Sequence, residues 1–154
     1  MTQYVKGDMD GQNLRIGIVV ASFNDFITSK LLEGAELGLS HNKVSPSNIV
    51  VCRVPGSFEI PVAAAKMASA GKYDAIICLG SVIKGETDHY DLVVWESARG
   101  IGNVALTAGI PVIFGVLATH TAELARDRVG GRQGNAGYNC ALTAVEMGTL
   151  MKKL

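Results

Sequence analysis

The sequence carries no excess of charge of either sign: fourteen Lys and Arg stand against fourteen Asp and Glu, for a formal net charge of zero. Nucleic acid is thereby excluded as a partner, because phosphate backbones are bound by clustered Lys and Arg that displace counterions. Long apolar runs are missing too. The longest, such as Ala75–Leu79 and Ile110–Ala118, fall far short of the roughly 20 residues that cross a bilayer, so no membrane association is expected. Met1–Asn13 is polar and glycine-containing, unlike a secretory signal or a transit peptide. Cysteine is scarce, and Cys52, Cys78 and Cys140 are odd in number, widely spaced and set among apolar neighbours. That pattern speaks against a disulfide framework or a metal site and for small buried hydrophobes in a cytosolic (cytoplasmic) protein. Repeats, low-complexity tracts and linkers are absent as well. One domain over residues 1–154 is expected, with 1–12 as an N-terminal arm that lacks a helical pattern and suits an added edge strand.

What is present is apolar material: 48% of residues are hydrophobic and 18% charged. The mean hydropathy of +0.26 is high for a monomer of this size, which points to apolar surface hidden against other subunits. Leu14–Ala21 is a continuous Ile- and Val-rich run, the signature of a strand buried on both faces of a parallel sheet. Ile49–Val54, Ala75–Ile83 and Pro111–Leu117 repeat it. Between them apolar residues recur at helical spacing: Ile27, Leu31, Gly34, Ala35 and Gly38; Val94, Ser97, Ala98, Ile101, Val104 and Ala105; and Cys140, Ala141, Ala144, Met147 and Met151. Four strands alternating with five helices, near 24–41, 58–70, 88–107, 120–129 and 136–152, predict a three-layer α/β/α sandwich of flavodoxin-like type with a four-stranded parallel sheet.

In such sheets ligands sit beyond the carboxyl ends of the strands, which directs attention to Ser22–Asp25, Pro55–Glu59, Lys84–His89 and Ala118–Thr121. The segment Gly80–Tyr90 leaves a strand and enters a helix. Gly85 permits close backbone approach, Thr87 or Asp88 suits a helix cap, and free N–H groups there favour an anion. An ordinary capped helix is the plainer alternative, and Glu86 must point outward if a phosphate binds. His89 opens that helix with the one side chain that titrates near neutrality unperturbed; His41, near a helix end, and His120, in a turn, lack such surroundings. Phe58 and Glu59 stand in the opening turn after another strand, where a carboxylate can hold a polyol or simply complement the helix dipole. Phe23 and Asn24 offer an aromatic face and a polar edge to a planar heterocycle, or a hydrophobic staple beside an Asn cap. Arg126, Arg128 and Arg132 suit phosphate or a solvated surface. Trp95 lies off its helix's apolar face and suits a subunit contact.

Phe23-Asn24, VPGSFEIP (54–61), GSVIKGETDHYD (80–91), GIPVIFGVL (109–117) and RVGGRQGNAG (128–137) occur here in the order and spacing of the lumazine synthase family, which the chain resembles from about residue 10 to 152. The resemblance implies condensation of 5-amino-6-ribitylamino-uracil with 3,4-dihydroxy-2-butanone 4-phosphate to 6,7-dimethyl-8-ribityllumazine and phosphate, the penultimate step of riboflavin biosynthesis, without metal or organic cofactor. On this chain it implies that Phe23 stacks on the pyrimidine, with Asn24 beside it. Ser57, Phe58 and Glu59 would hold the ribityl chain, and Val82 and Ile83 the heterocycle through backbone groups. Gly85, Glu86 and Thr87 would cradle phosphate through main-chain N–H groups, and His89 would carry protons. Arg128 and Phe114 would reach in from a neighbouring subunit.

The same resemblance implies a pentamer, in some members built into an icosahedral shell of twelve pentamers, with riboflavin synthase as a candidate companion. The short Gly130–Gly134 turn and the proline-free arm lean toward the shell. Two departures stand out: Ala136 where many members carry lysine, and His120 near where they carry an acidic residue. A non-catalytic flavin-binding container on the same fold is the rival expectation, opposed by intact His89, Glu59 and Arg128. A receiver domain or electron carrier fails, because Ser22-Phe23-Asn24 and Ser81-Val82-Ile83 stand where a receiver needs its acidic pair and phosphoacceptor.

Overall fold

The computed structural model describes residues Met1 to Leu154. In chain order it contains β1 (Ile16–Ala21), α1 (Asp25–His41), β2 (Ile49–Val54), α2 (Ile60–Ser69), β3 (Ala75–Ile83), α3 (His89–Ala108), β4 (Val112–Thr119), α4 (Ala122–Asp127), β5 (Val129–Gly131), β6 (Gly134–Asn135) and α5 (Ala136–Met151), with short 3-10 turns at Pro46–Asn48 and Ser57–Glu59. The main sheet is parallel in the order β2-β1-β3-β4. Helices cover both faces, so the fold is the flavodoxin-like three-layer sandwich.

The apolar runs form strands because both faces of the central ones are covered. All six residues of β1 are buried. Ile16, Ile18 and Val20 point into a core shared with α1 and α5, while Val19 and Ala21 point into a second core shared with α2 and α3. Each Ile or Val so buried contributes about 1.5–3 kcal/mol. The run at Ile49–Val54 behaves differently. It forms the edge strand β2, where Val50, Val51 and Arg53 are exposed. Apolar letters at an edge resemble those of a central strand, so sequence does not separate the two.

Other boundaries shift for local reasons. β4 runs on to Thr119, with Ala118 and Thr119 paired to Val82 and Ile83. α4 is shorter than the 120–129 expectation: the Thr121 hydroxyl caps its start by accepting from Leu124 N at 3.1 Å, and the chain leaves the helix at Arg128 to enter β5. Beyond it Val129–Gly131 turns back on Gly134–Asn135 as a small antiparallel hairpin that the sequence pattern did not announce. The helix expected from 58 begins as a 3-10 turn and becomes α-helical at Ile60, with Pro61 in the first turn where its missing N–H is not needed.

α5 also packs in a different phase. Gly137, Cys140, Ala141, Ala144, Val145, Gly148 and Thr149 are buried, whereas Met151 is exposed and Met147 only half-buried. The backbones of α1 and α5 approach so closely that a Cβ on Gly137 would strike the Leu31 carbonyl, and small residues therefore line the contact. Residues 1–12 form no strand in the chain by itself. Asp8 instead exchanges hydrogen bonds with Thr149, its N–H donating at 2.9 Å and its carbonyl accepting at 3.0 Å, and Lys153 pairs with the Asp8 carboxylate at 3.0 Å. No helix is long and apolar enough to cross a membrane.

Candidate active site

A cleft of about 500 Å³ opens at the carboxyl ends of β1, β2 and β3. It lies at the topological switch point, where the chain proceeds from β1 outward to β2 and then back across to β3. Of the thirteen predicted site residues, ten line it: Phe23, Asn24, Ser57, Phe58, Glu59, Val82, Ile83, Gly85, Thr87 and His89. Glu86, Phe114 and Arg128 do not. Pro55, Gly56, Ser81, Tyr90 and Val93 complete the wall and were not foreseen, although the strand-end rule already pointed at the loops holding Pro55 and Gly56.

Two of the cleft's aromatic rings stand out into solvent, Phe23 at 71% exposure and Phe58 at 57%. Phe23 is set by backbone: its N–H donates to the Pro55 carbonyl at 2.9 Å, just after Ser22 N donates to the Val54 carbonyl at 2.8 Å. Asn24 is neither a staple partner nor a side-chain cap. It adopts the left-handed conformation, φ 60° and ψ 46°, and its Nδ2 donates to the Ser81 carbonyl at 2.8 Å. The Ser57–Glu59 turn buries Ser57 against Gly80, where any Cβ would collide with the Ser57 hydroxyl. Gly80 thus lets the turn seat on β3. The Glu59 carboxylate folds back over Gly56, with Oε1 at 3.2 Å from where a Cβ would sit.

The loop from β3 to α3 leaves its N–H groups free. Lys84 N donates to the Thr119 carbonyl at 2.9 Å, and His89 N donates to the Thr87 hydroxyl at 3.3 Å. The N–H groups of Gly85, Glu86 and Thr87 have no acceptor in the protein. They precede a helix of 20 residues, whose aligned peptide dipoles place about half a positive charge at that end. Beside Gly85 the space is open, since a Cβ there would meet nothing within 4 Å. Glu86 is exposed and outside the cleft. Asp88 caps without a side-chain hydrogen bond. His89 is exposed at the first position of α3, and Tyr90 beside it is flanked by Lys84 Nζ, 5.9 Å from its ring centre, and by the His120 ring at 6.3 Å.

Electrostatically the cleft is one-sided. Its lining includes the Glu59 carboxylate and no Lys or Arg. Two of the three arginines near the hairpin are engaged within the chain: Arg126 lies over the Phe26 ring at 5.3 Å, and Arg132 pairs with Asp127 at 3.5 Å. Arg128 makes no ion pair. Elsewhere, burial pushes the thiol of Cys78 up to about 12 and that of Cys140 up to about 11, so both stay neutral and unreactive.

Fold and cleft together define a class: a flavodoxin-like α/β domain with a ligand cleft at the switch point and a free helix N-terminus beside a histidine. Within that class the particular family is settled by sequence. Residues 13–152 match the 6,7-dimethyl-8-ribityllumazine synthase family model, and the chain belongs to that family. Membership places it in riboflavin biosynthesis, among transferases that act on small molecules.

Proposed function

We propose that this protein condenses 5-amino-6-ribitylamino-uracil with 3,4-dihydroxy-2-butanone 4-phosphate, giving 6,7-dimethyl-8-ribityllumazine, inorganic phosphate and two waters. The amine adds to the ketone and loses water as an imine, phosphate leaves by elimination, and the second nitrogen closes the ring with loss of the second water. The observation that carries this proposal is the meeting, in one cleft of a family member, of Gly85 and Thr87 with their free N–H groups, His89 and the Ser57–Glu59 turn.

Phe23 stacks on the pyrimidine, the edges of Val82 and Ile83 hydrogen-bond it, and Ser57, Phe58 and Glu59 receive the ribityl chain. Main-chain donors at 85–87 hold the phosphate, which reconciles that site with the outward Glu86. His89, one residue into α3, takes and returns the protons of imine formation, elimination and closure. Holding both substrates together supplies most of the rate, and the proton carrier adds about 10²–10⁴-fold.

A dianionic phosphate beside a carboxylate and no cation is poorly balanced, so a cation from outside the chain completes the site. Arg128 of an adjacent copy supplies it, with Phe114 of that copy closing over the heterocycle. The exposed Leu92, Trp95 and Leu106 on α3 and Val62 on α2 are the apolar surface for that contact. The pentamer that the family resemblance implies is a closed ring in which every copy both gives and receives these residues.

Purified protein given both substrates should form lumazine and phosphate in equal amounts, followed by absorbance and a phosphate assay. Tight riboflavin binding without turnover would instead favour a flavin container, and Ala136 would become the first residue to exchange for lysine.

A further inference from the structure

We propose that Asn24 is a positioning residue, a side-chain rung that ties the end of β1 to β3 and thereby fixes where Phe23 stands. Backbone pairing between β1 and β3 ends at Val20 with Leu79, while β3 stays paired to β4 as far as Ile83 with Thr119. The carbonyl of Ser81 therefore lies past the last β1 rung. Asn24 Nδ2 fills that place at 2.8 Å. On the other side, Ser22 and Phe23 continue the ladder with β2 through Val54 and Pro55. Phe23 is thus pinned from both sides at the point where the sheet splays to open the cleft.

The left-handed conformation of Asn24 turns the amide toward β3 and starts α1 in the same step. Asn tolerates that conformation better than any other residue except Gly, and only Asn combines it with an N–H donor of this reach. One amide hydrogen is committed to Ser81, so the polar edge left for a ligand is the Oδ1 and the remaining N–H. Asn24 acts on a bound heterocycle through Phe23 and the adjoining Val82–Ile83 backbone.

The kinetic half of the test rests on the proposed function, and the other half needs no ligand. Asn24→Asp keeps the shape, the left-handed tolerance and a favourable charge at a helix N-terminus, but turns the donor into an acceptor facing a carbonyl. Asn24→Gly keeps the backbone and removes the rung, and carries the test should Asn24→Asp not fold. In the intact, ligand-free oligomer, hydrogen exchange at Phe23 should quicken about tenfold in either variant, with rungs in the middle of β1 unchanged. With substrates, the KM for the pyrimidine should rise about tenfold with kcat within about threefold of wild type. That rise should vanish when the same change is made in a Phe23→Ala background. Unaltered exchange at Phe23 in the folded variants overturns the proposal. Independent, additive effects in the Phe23→Ala background overturn it as well, because they mark a direct ligand contact. Wild-type protein that makes no product sinks the assigned reaction alone, and the exchange result still decides for or against the rung.

Discussion

His89 stands exposed at the first position of α3 beside three N–H groups with no acceptor, so it is open to a ligand in the cleft and is not needed to hold the fold. His89→Ala is therefore expected to lower kcat by about 10²–10⁴-fold while leaving ribityl binding close to wild type. Steady-state kinetics with an unchanged kcat would remove His89 from the chemistry. The buried thiols make a prediction of opposite character. Burial raises Cys78 to about 12 and Cys140 to about 11, from 9.0. A group whose folded pKa is raised favours folding below its unfolded value, and that contribution is lost as pH climbs through the folded value. Unfolding midpoints should thus fall as pH rises from about 9 toward 12, and less steeply in a Cys78→Ala, Cys140→Ala variant. Denaturant titrations across that range, with equal slopes for the two proteins, would contradict it. At this scale ten of the thirteen residues that strand-end position and the family resemblance singled out come together in one cleft. Ser81, Tyr90 and Val93 were not singled out, because lining a cleft depends on which way strand and helix turn, and only packing fixes that.

Among the helices, the most extensive contact is that of α1 with α5, where Gly137 lies against the Leu31 carbonyl and Gly34 against the Asn135 amide. Asn135 in turn caps α5 by accepting from Tyr138 N at 3.1 Å and donates to the Lys30 carbonyl at 3.1 Å. Gly137→Ala must push these helices apart, and a loss of about 1–3 kcal/mol is expected from such overpacking. A urea midpoint equal to that of wild type would show that the helices yield without strain. The same contact explains where element reading succeeded and where it slipped. Continuous apolar runs marked all four main strands, although only β1 and most of β3 are buried on both faces. The α5 face was misplaced toward Met147 and Met151 because apolar letters weigh large side chains, whereas close backbones select Gly, Ala and Thr. The hairpin at 129–135 carries too few apolar residues to announce a strand, and the edge position of β2 follows from strand order, which no local pattern encodes.

Viewed as a whole, the chain lines its cleft with two exposed phenylalanines, one carboxylate and no Lys or Arg, and holds Arg128 outside it without an ion pair. The proposed completion of the site by an adjacent copy rests on that charge balance, and it predicts behaviour that a self-contained site cannot show. His89→Ala and Arg128→Ala subunits, each inactive alone, are unfolded together and co-assembled in equal amounts. A shared site is intact only when the copy giving His89 carries the Arg128 change and its neighbour carries the His89 change. Random mixing around a ring of like, head-to-tail interfaces makes that pairing in about a quarter of sites. Activity should therefore return to about a quarter of wild type per site in the mixture, and stay absent when the preformed oligomers are merely combined. Mixtures that remain inactive after verified co-assembly would mean that His89 and Arg128 serve the same subunit. The free N–H groups at 85–87 would then have to hold the phosphate without help from a neighbour.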